Sequence, residues 1–167
     1  IIINKSHCVL DKYFHFQPNN DKITDINNLI IKSVQIQSRS DVKIGALLSG
    51  GLDSSIISKL HSLIFAKNQI KTFSYNFYDK KYSEEYYSNL MSINIKSNHF
   101  TSQSKKINLA DITGIIELLD EPIIDTAIFT SFKLSQLAKK NNVKVILSGA
   151  GGDELFGGYI RYFQNFR

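Results

Sequence analysis

Short, nearly continuous apolar runs alternate with longer segments in which apolar residues recur every three or four positions. The short runs 43–49, 70–77, 97–100 and 143–148 predict β-strands, and the last is apolar enough for the centre of a sheet. The longer period predicts helices over 21–38, 56–64 and 127–140. Strands that alternate with helices are typical of βαβ units, so we predict an α/β fold with a parallel sheet flanked by helices.

The composition agrees with one domain, or a piece of a larger one. The chain has 167 residues, of which 43% are hydrophobic and 21% charged, and this excludes wholesale disorder. The first twenty residues are aromatic and strand-like and end in a Pro-Asn-Asn turn signal. We interpret 1–20 as the end of a preceding domain or a linker, and 21–167 as a domain that is truncated within an apolar aromatic segment.

Charge and cysteine content narrow the class of protein. The apolar patches of the first sixteen residues are interrupted by Lys5, His7 and Asp11, which fits neither a signal peptide nor a membrane span, so we predict a cytoplasmic protein without a membrane partner. Cys8 is the one cysteine and permits no internal disulfide. The net charge of +5 is spread over scattered lysines, so we predict no nucleic-acid partner.

A first glycine loop, "SGGLDSS" at 49–55, lies between a predicted strand and a helix. Gly50 and Gly51 permit close backbone approach, and the N–H groups at the start of the helix suit an anion such as phosphate. Asp53 would repel phosphate unless a cation lay between them, which indicates a Mg²⁺ ligand. The Walker phosphate-binding pattern is excluded because no lysine is present. The alternative is a helix start that Ser or Asp side chains cap.

A second glycine loop, "SGAGGDELFGGY" at 148–159, follows the last predicted strand. Of its adjacent carboxylates we assign Asp153 to a metal and Glu154 to a structural hydrogen bond. For the Gly-Gly-Tyr segment that follows, we favour a turn with a packed aromatic side chain. Because parallel strands end at one edge of a sheet, both glycine loops are expected to face one ligand.

These two motifs resemble a known family. The first is similar to the pyrophosphate loop of the PP-loop ATP pyrophosphatases, and the second narrows the resemblance to the synthetase domain of glutamine-hydrolysing asparagine synthetases. The resemblance implies a PP-loop fold (adenine nucleotide alpha hydrolase-like), with 21–167 as the N-terminal part of the ATP-binding domain. It also implies that a carboxylate, aspartate first, is adenylated by ATP and then amidated by ammonia from glutamine, with release of pyrophosphate and AMP.

The resemblance also implies the site residues, with ATP and Mg²⁺ as the cofactors. Asp53 and Asp153 are implied as the catalytic and metal-binding carboxylates. The residues implied to hold pyrophosphate are Ser49, Gly50, Gly51, Asp53 and Ser54. Those implied to line the adenosine pocket, largely through backbone, are Leu48, Phe73, Ser74 and Tyr75, with Ser148 and Gly149 nearby.

One departure from the family pattern leaves the acceptor open. Asparagine synthetases carry an acidic residue where this chain has Ala150, which neither donates nor accepts a proton. The alternatives are therefore a ligase for another carboxylate, such as a sugar or metabolite acid, and a non-catalytic nucleotide-binding module. A tRNA-modifying PP-loop enzyme ranks last. Expected partners are a glutaminase domain before this segment and the remainder of the synthetase domain after it.

Three further polar residues stand near predicted strand or helix ends. His99 has no second histidine at metal-ligand spacing, so we favour a structural role. Glu121 and Asp125 lie in "DEPIID", where we prefer a turn and a helix cap over a place at the substrate pocket.

Overall fold

The computed structural model describes residues 2–4, 7–9, 25–65, 69–79, 83–103, 109–121, 123, 125–160 and 162. The strands are β1 (Ile2–Asn4), β2 (His7–Val9), β3 (Ile44–Leu47), β4 (Lys71–Asn76), β5 (Asn98–Gln103) and β6 (Val145–Leu147). The helices are α1 (Ile26–Gln37), α2 (Leu52–Ile64), α3 (Glu85–Asn94), α4 (Leu109–Ile116), α5 (Ala127–Lys140) and α6 (Gly152–Phe156). No helix in these ranges is both long and apolar enough to cross a membrane.

The centre of the fold is a four-stranded sheet with the order β5-β4-β3-β6. All three neighbouring pairs are parallel, with Leu47 opposite Phe73 and Ala46 opposite Leu147. The predicted α/β fold with a parallel sheet is confirmed. Strands β1 and β2 form a separate antiparallel pair, as the strand-like character of the first residues indicated.

The prediction that the last strand lies at the sheet centre was wrong. Among the described strands, β6 pairs with β3 alone and lies at one end of the order. Its apolar sequence has another cause, which is burial on both faces. Ile146 packs against one core cluster and Leu147 belongs to the other.

Helices cover both faces of the sheet, and each face has its own core. On one face Ala46, Leu48 and Leu147 pack with Ile57 of α2 and Met91 of α3. On the other face Phe73 packs with Leu134 and Ala138 of α5. This arrangement leaves the carboxyl ends of β3, β4 and β6 free to carry loops, which is where ligands bind in such sheets.

Polar side chains of β4 and β5 form a hydrogen-bonded group beside the apolar core. His99 of β5 is 2.8 Å from Thr72 Oγ1 through Nδ1 and 3.1 Å from Ser74 Oγ through Nε2. Burial lowers the pKa of His99 below its ordinary value of 6.5. A neutral imidazole donates at one ring nitrogen and accepts at the other, so both hydroxyls are satisfied by one ring. The structural role favoured for His99 agrees with these contacts.

Candidate active site

The first loop is braced by its own serines. Ser49 Oγ lies 3.0 Å from Ser54 Oγ and accepts a hydrogen bond from Gly51 N at 3.2 Å. Ser54 Oγ donates to Gly51 O at 3.2 Å. The N-cap of α2 is Gly51, and no side chain caps this helix, unlike the alternative predicted from the sequence. Asp53 lies in the first turn of α2, at the positive end of the helix dipole, which favours anions.

Helix α3 closes over the first loop at Gly50. This glycine has a φ of +100°, and a Cβ there would lie 2.7 Å from both Ser88 N and Tyr87 Cβ. Two independent constraints, backbone conformation and space, thus require glycine. The specific contacts of Gly50 with Tyr87 and Ser88 were not predicted, because nothing in the local sequence pairs Gly50 with residues 37 and 38 positions later.

The second loop packs directly against Asp53. A Cβ at Gly149 would lie 2.8 Å from Asp53 Cβ and from Ser54 N. A Cβ at Gly152 would lie 2.5 Å from Asp53 Cγ and 2.6 Å from Oδ2. Both glycines therefore let the backbone of the second loop approach the Asp53 side chain. The expected convergence of the two loops at one edge of the sheet is what the structure has.

Asp153 is the second residue of α6 and lies in its first turn. Its Oδ1 lies against Gly158, where any Cβ would collide with it. Its carbonyl accepts from Gly157 N at 2.9 Å and from Gly158 N at 3.1 Å. The Gly157–Gly158 turn thus fixes the position of Asp153. Its neighbour in the chain, Gly152, is the residue that contacts the Asp53 carboxylate.

The rest of this turn has the structural roles favoured from the sequence. Tyr159 OH donates to Glu154 Oε1 at 2.9 Å, and the Tyr159 ring packs edge-on against Tyr162. In the described part of the chain, no group of three or more His, Cys, Asp or Glu side chains forms a metal cluster. Asp53 and Asp153 would accordingly be only two ligands of a cation that takes its others from phosphate and water.

The residues implied for the adenosine pocket divide into core and surface. Leu48 and Phe73 are fully buried, and Leu48 N donates to Phe73 O at 2.8 Å. Ser74 is buried with its hydroxyl at His99. Tyr75 is half-buried and packs edge-on against Phe77. Exposed Ser148 accepts from Ala150 N at 3.3 Å.

In the "DEPIID" segment Asp125 lies one residue before the N-cap of α5, which is Thr126 and makes no side-chain capping hydrogen bond. Asp125 Oδ1 accepts from Ala127 N at 2.8 Å, at the first residue of α5. Glu121 is exposed.

Comparison with known proteins identifies the family. The profile described as asparagine synthase matches residues 25–167, which include both glycine loops and every strand of the parallel sheet. The chain belongs to the asparagine synthase family. The resemblance read from the two loops is confirmed at that level.

Individual relatives carry the same family name. A putative glutamine-hydrolysing asparagine synthetase 2 from Methanocaldococcus jannaschii is 34% identical over 165 residues, 93% of this chain and 32% of that protein. Asparagine synthetase B from Escherichia coli is 33% identical over 170 residues, 91% of this chain and 30% of that protein. The chain thus spans about a third of the length of these two relatives.

A solved structure shows the same fold. The NH3-dependent NAD synthetase from Campylobacter jejuni matches with a TM-score of 0.51 at 13% identity, over 79% of this chain and 58% of that one. At this identity the likeness concerns the fold, which is the predicted PP-loop type.

The asparagine synthase domain also contains a cavity that the sequence did not reveal. It lies between α1, the start of α2 and the second loop, has a volume of about 430 Å³, and is lined by Asp53 and Ala150 among others. One feature of the sequence, the apolar face of α1, did point to this cavity. Ile26, Ile30 and Val34 share a face of α1, yet of these three Val34 alone is buried, so α1 carries more apolar surface than its packing uses.

Proposed function

We propose that this chain is the nucleotide-binding part of an ATP-dependent amidotransferase that adenylates a carboxylate. The carboxylate oxygen attacks the α-phosphorus of ATP, and the bond from that phosphorus to pyrophosphate breaks. Ammonia then attacks the acyl carbon and displaces AMP, so that an amide forms and a proton is released. The names of the relatives suggest aspartate as the acceptor and glutamine as the source of ammonia.

The observation that carries this proposal is the approach of Gly149 and Gly152 to the Asp53 side chain. Two loops almost a hundred positions apart enclose one carboxylate, at the edge of the sheet where helix α2 begins. Loops packed on each other in this way make one site rather than two. A family profile that covers both loops agrees with a shared role for them.

The residues of the first loop would hold the pyrophosphate part of ATP. The N-terminus of α2, which no side chain caps, would offer a positive dipole end to the phosphate oxygens. The brace between Ser49 and Ser54 fixes the loop before the nucleotide arrives, so little ordering is required on binding. Gly50 maintains the backbone shape that this needs.

The donor set fits Mg²⁺. Asp53 and Asp153 would supply hard carboxylate oxygens, and Gly152, which has no Cβ, lets the backbone of the second loop lie against the Asp53 carboxylate. When bound, Mg²⁺ would neutralise the charge that moves to pyrophosphate as the leaving group departs. The cation that these two carboxylates would hold takes the place of the lysine that other phosphate-binding loops use.

The experiment that tests this function is AMP formation from α-labelled ATP by the full-length protein, with Mg²⁺ and ammonium present and aspartate present or absent. We expect AMP and pyrophosphate in equal amounts, in a reaction that requires a carboxylic acid. Formation of ADP in place of AMP would contradict the proposal. Mg²⁺-dependent ATP binding without AMP formation from any acid would favour the non-catalytic module instead.

A further inference from the structure

Three polar side chains follow one another along one face of β4. Thr72, Ser74 and Asn76 alternate with Phe73, which packs against α5, so all three point to the opposite face of the sheet. Their exposed fractions are 0%, 2% and 3%. Polar atoms that are buried this deeply need hydrogen-bond partners, because they have lost those that water would supply.

The two inner members of this row have partners, whereas the outermost one does not. Thr72 Oγ1 lies 2.8 Å from both Ser97 Oγ and His99 Nδ1, and Ser74 Oγ lies 3.1 Å from His99 Nε2. Asn76 Nδ2 is buried without any hydrogen-bond partner, and in the described part of the chain no other side-chain nitrogen or oxygen is in that position. An unpaired buried donor lowers the stability of the free protein, so its presence needs an explanation.

The place of Asn76 in the sheet supplies one. Asn76 is the last residue of β4, at the carboxyl edge of the parallel sheet, where ligands of such folds bind. Leu47 lies opposite Phe73, and Leu48 N donates to Phe73 O at 2.8 Å. Three residues beyond this pair, β4 has Asn76 and the first loop has Gly50. The unpaired amide therefore stands at the end of the strand that neighbours the first loop.

An amide donor suits the phosphate chemistry proposed for that loop. The loop lacks the lysine with which other phosphate-binding loops hold their ligand. A hydrogen bond from an amide N–H to an anionic oxygen is stronger than one to a neutral acceptor. Because Nδ2 has no hydrogen bond to break, the enclosed Asn76 amide can turn about its side-chain torsions toward a ligand without losing a partner.

We propose that Asn76 is a further nucleotide-binding residue, whose Nδ2 donates a hydrogen bond to a phosphate oxygen of ATP. The inference rests on the proposed function, which assigns the ATP phosphates to the first loop. The donor that is unpaired in the free protein is paired in the complex. Neither glycine motif includes Asn76, so the motifs alone assign it no role.

The test compares two buried positions of the same row in the full-length protein. Asn76→Leu removes the unpaired donor at nearly constant volume, and Thr72→Val removes a hydroxyl that has partners. Binding of an ATP analogue that resists cleavage between the α- and β-phosphates is measured with Mg²⁺ for both variants. We expect Asn76→Leu to raise the Kd about tenfold and Thr72→Val to leave it unchanged.

Urea unfolding of the same two variants should give the reverse order. Thr72→Val leaves His99 and Ser97 short of a partner, so its urea midpoint should fall. Asn76→Leu removes an unsatisfied donor, so its midpoint should stay the same or rise. An unchanged Kd in Asn76→Leu overturns the inference, whether or not the midpoint falls. Asn76→Ala repeats both measurements if the leucine variant does not fold, because it removes the amide without adding atoms.

Simpler ligands identify the part of the nucleotide that Asn76 contacts. In Asn76→Leu the Kd for pyrophosphate with Mg²⁺ should rise by the same factor as that for the ATP analogue, and the Kd for adenosine should not change. A rise for adenosine without a rise for pyrophosphate would overturn the assignment to a phosphate oxygen.

The unchanged protein separates this inference from the proposed function. If it binds the ATP analogue and Asn76→Leu binds it equally well, the proposed function stands and the role of Asn76 is removed. If the unchanged full-length protein binds neither the analogue nor pyrophosphate, the proposed function is removed and the inference with it.

Discussion

The two glycine loops meet at Asp53 but are built differently. In the first loop Gly50 is pressed against α3 and the serines bond to each other, so the protein itself fixes the loop. In the second loop Gly151 and Gly157 have φ values of +95° and +75°, and a Cβ on either would meet no atom within 4 Å. At Gly50 one glycine thus serves both backbone conformation and close packing, whereas the second loop divides these roles, with conformation at Gly151 and Gly157 and close packing at Gly149, Gly152 and Gly158. The first loop acts as a preformed cradle, and the second reaches it through Gly149 and Gly152.

The largest effect is expected from the carboxylate that both loops enclose. Asp53→Asn should lower AMP formation about 10³-fold, because it removes a charge at the phosphate site. Asp153→Asn should lower it about 10²-fold, since the carboxylate of Asp153 lies against Gly158 of the second loop whereas that of Asp53 is next to both loops. Rates under saturating ATP and Mg²⁺ measure both.

The control for this pair is Asp41→Asn, at an exposed carboxylate outside both loops. Its rate should match that of the unchanged protein. Full activity in Asp153→Asn would restrict the catalytic site to the first loop.

A second comparison uses the two glycines with the most positive φ. Gly50→Ala adds strain and a backbone clash, and should lower the free energy of unfolding by about 3 kcal/mol. Gly151→Ala adds strain without a clash and should cost about 1 kcal/mol. Urea unfolding of both variants measures the difference, and equal losses would mean that α3 does not press on the first loop.

The free energy of unfolding should also depend on pH, through two histidines on the elements that flank the first loop. Burial lowers the pKa values of His99, beside β4, and of His61, on α2. Since the unfolded histidines protonate near pH 6.5, the unfolded chain binds more protons below that value and the fold loses stability as pH falls from 7.5 to 5.5. Urea unfolding at several pH values measures this. A His99→Gln variant should show a shallower decline, and stability that rises as pH falls would contradict the assignment.

The smallest effects concern single hydroxyls of the two loops. Ser54→Ala removes partly buried hydrogen bonds to Ser49 and Gly51 and should cost about 1 kcal/mol of unfolding free energy. Tyr159→Phe removes an exposed bond to Glu154 and should cost less than about 0.5 kcal/mol. A larger loss of unfolding free energy for Tyr159→Phe than for Ser54→Ala would mean that the hydroxyl of the second loop contributes more to stability than that of the first.

Local patterns predicted the parallel sheet and three of the helices, because strand and helix periods are written in consecutive residues. Helix α3 escaped this reasoning since it buries Ser88 and Ser92 rather than a row of apolar side chains. Helix α4 was also missed. The place of β6 at one end of the sheet depends on which strands pair, and its apolar sequence is equally consistent with a central strand.

The candidate site was predictable only in part for a similar reason. The glycine and aspartate residues of both loops stand out in the sequence, and the parallel sheet explains why they meet. Contacts such as Gly50 with Tyr87, or Gly152 with Asp53, depend on distances between separate elements, which no local pattern records. The cavity beside α1 likewise exists only after α1, α2 and the second loop are assembled.

The most direct test of the central claim, that both loops form one nucleotide site around Asp53, is Mg²⁺-dependent ATP binding measured by calorimetry on two glycine variants of the full-length protein. Gly152→Ala puts a methyl group against the Asp53 carboxylate, whereas Gly114→Ala, on α4, meets no atom within 4 Å. The account predicts that Gly152→Ala raises the Kd for ATP at least about tenfold, equivalent to about 1.4 kcal/mol, and that Gly114→Ala leaves it unchanged. Equal ATP affinity in the two variants would contradict it.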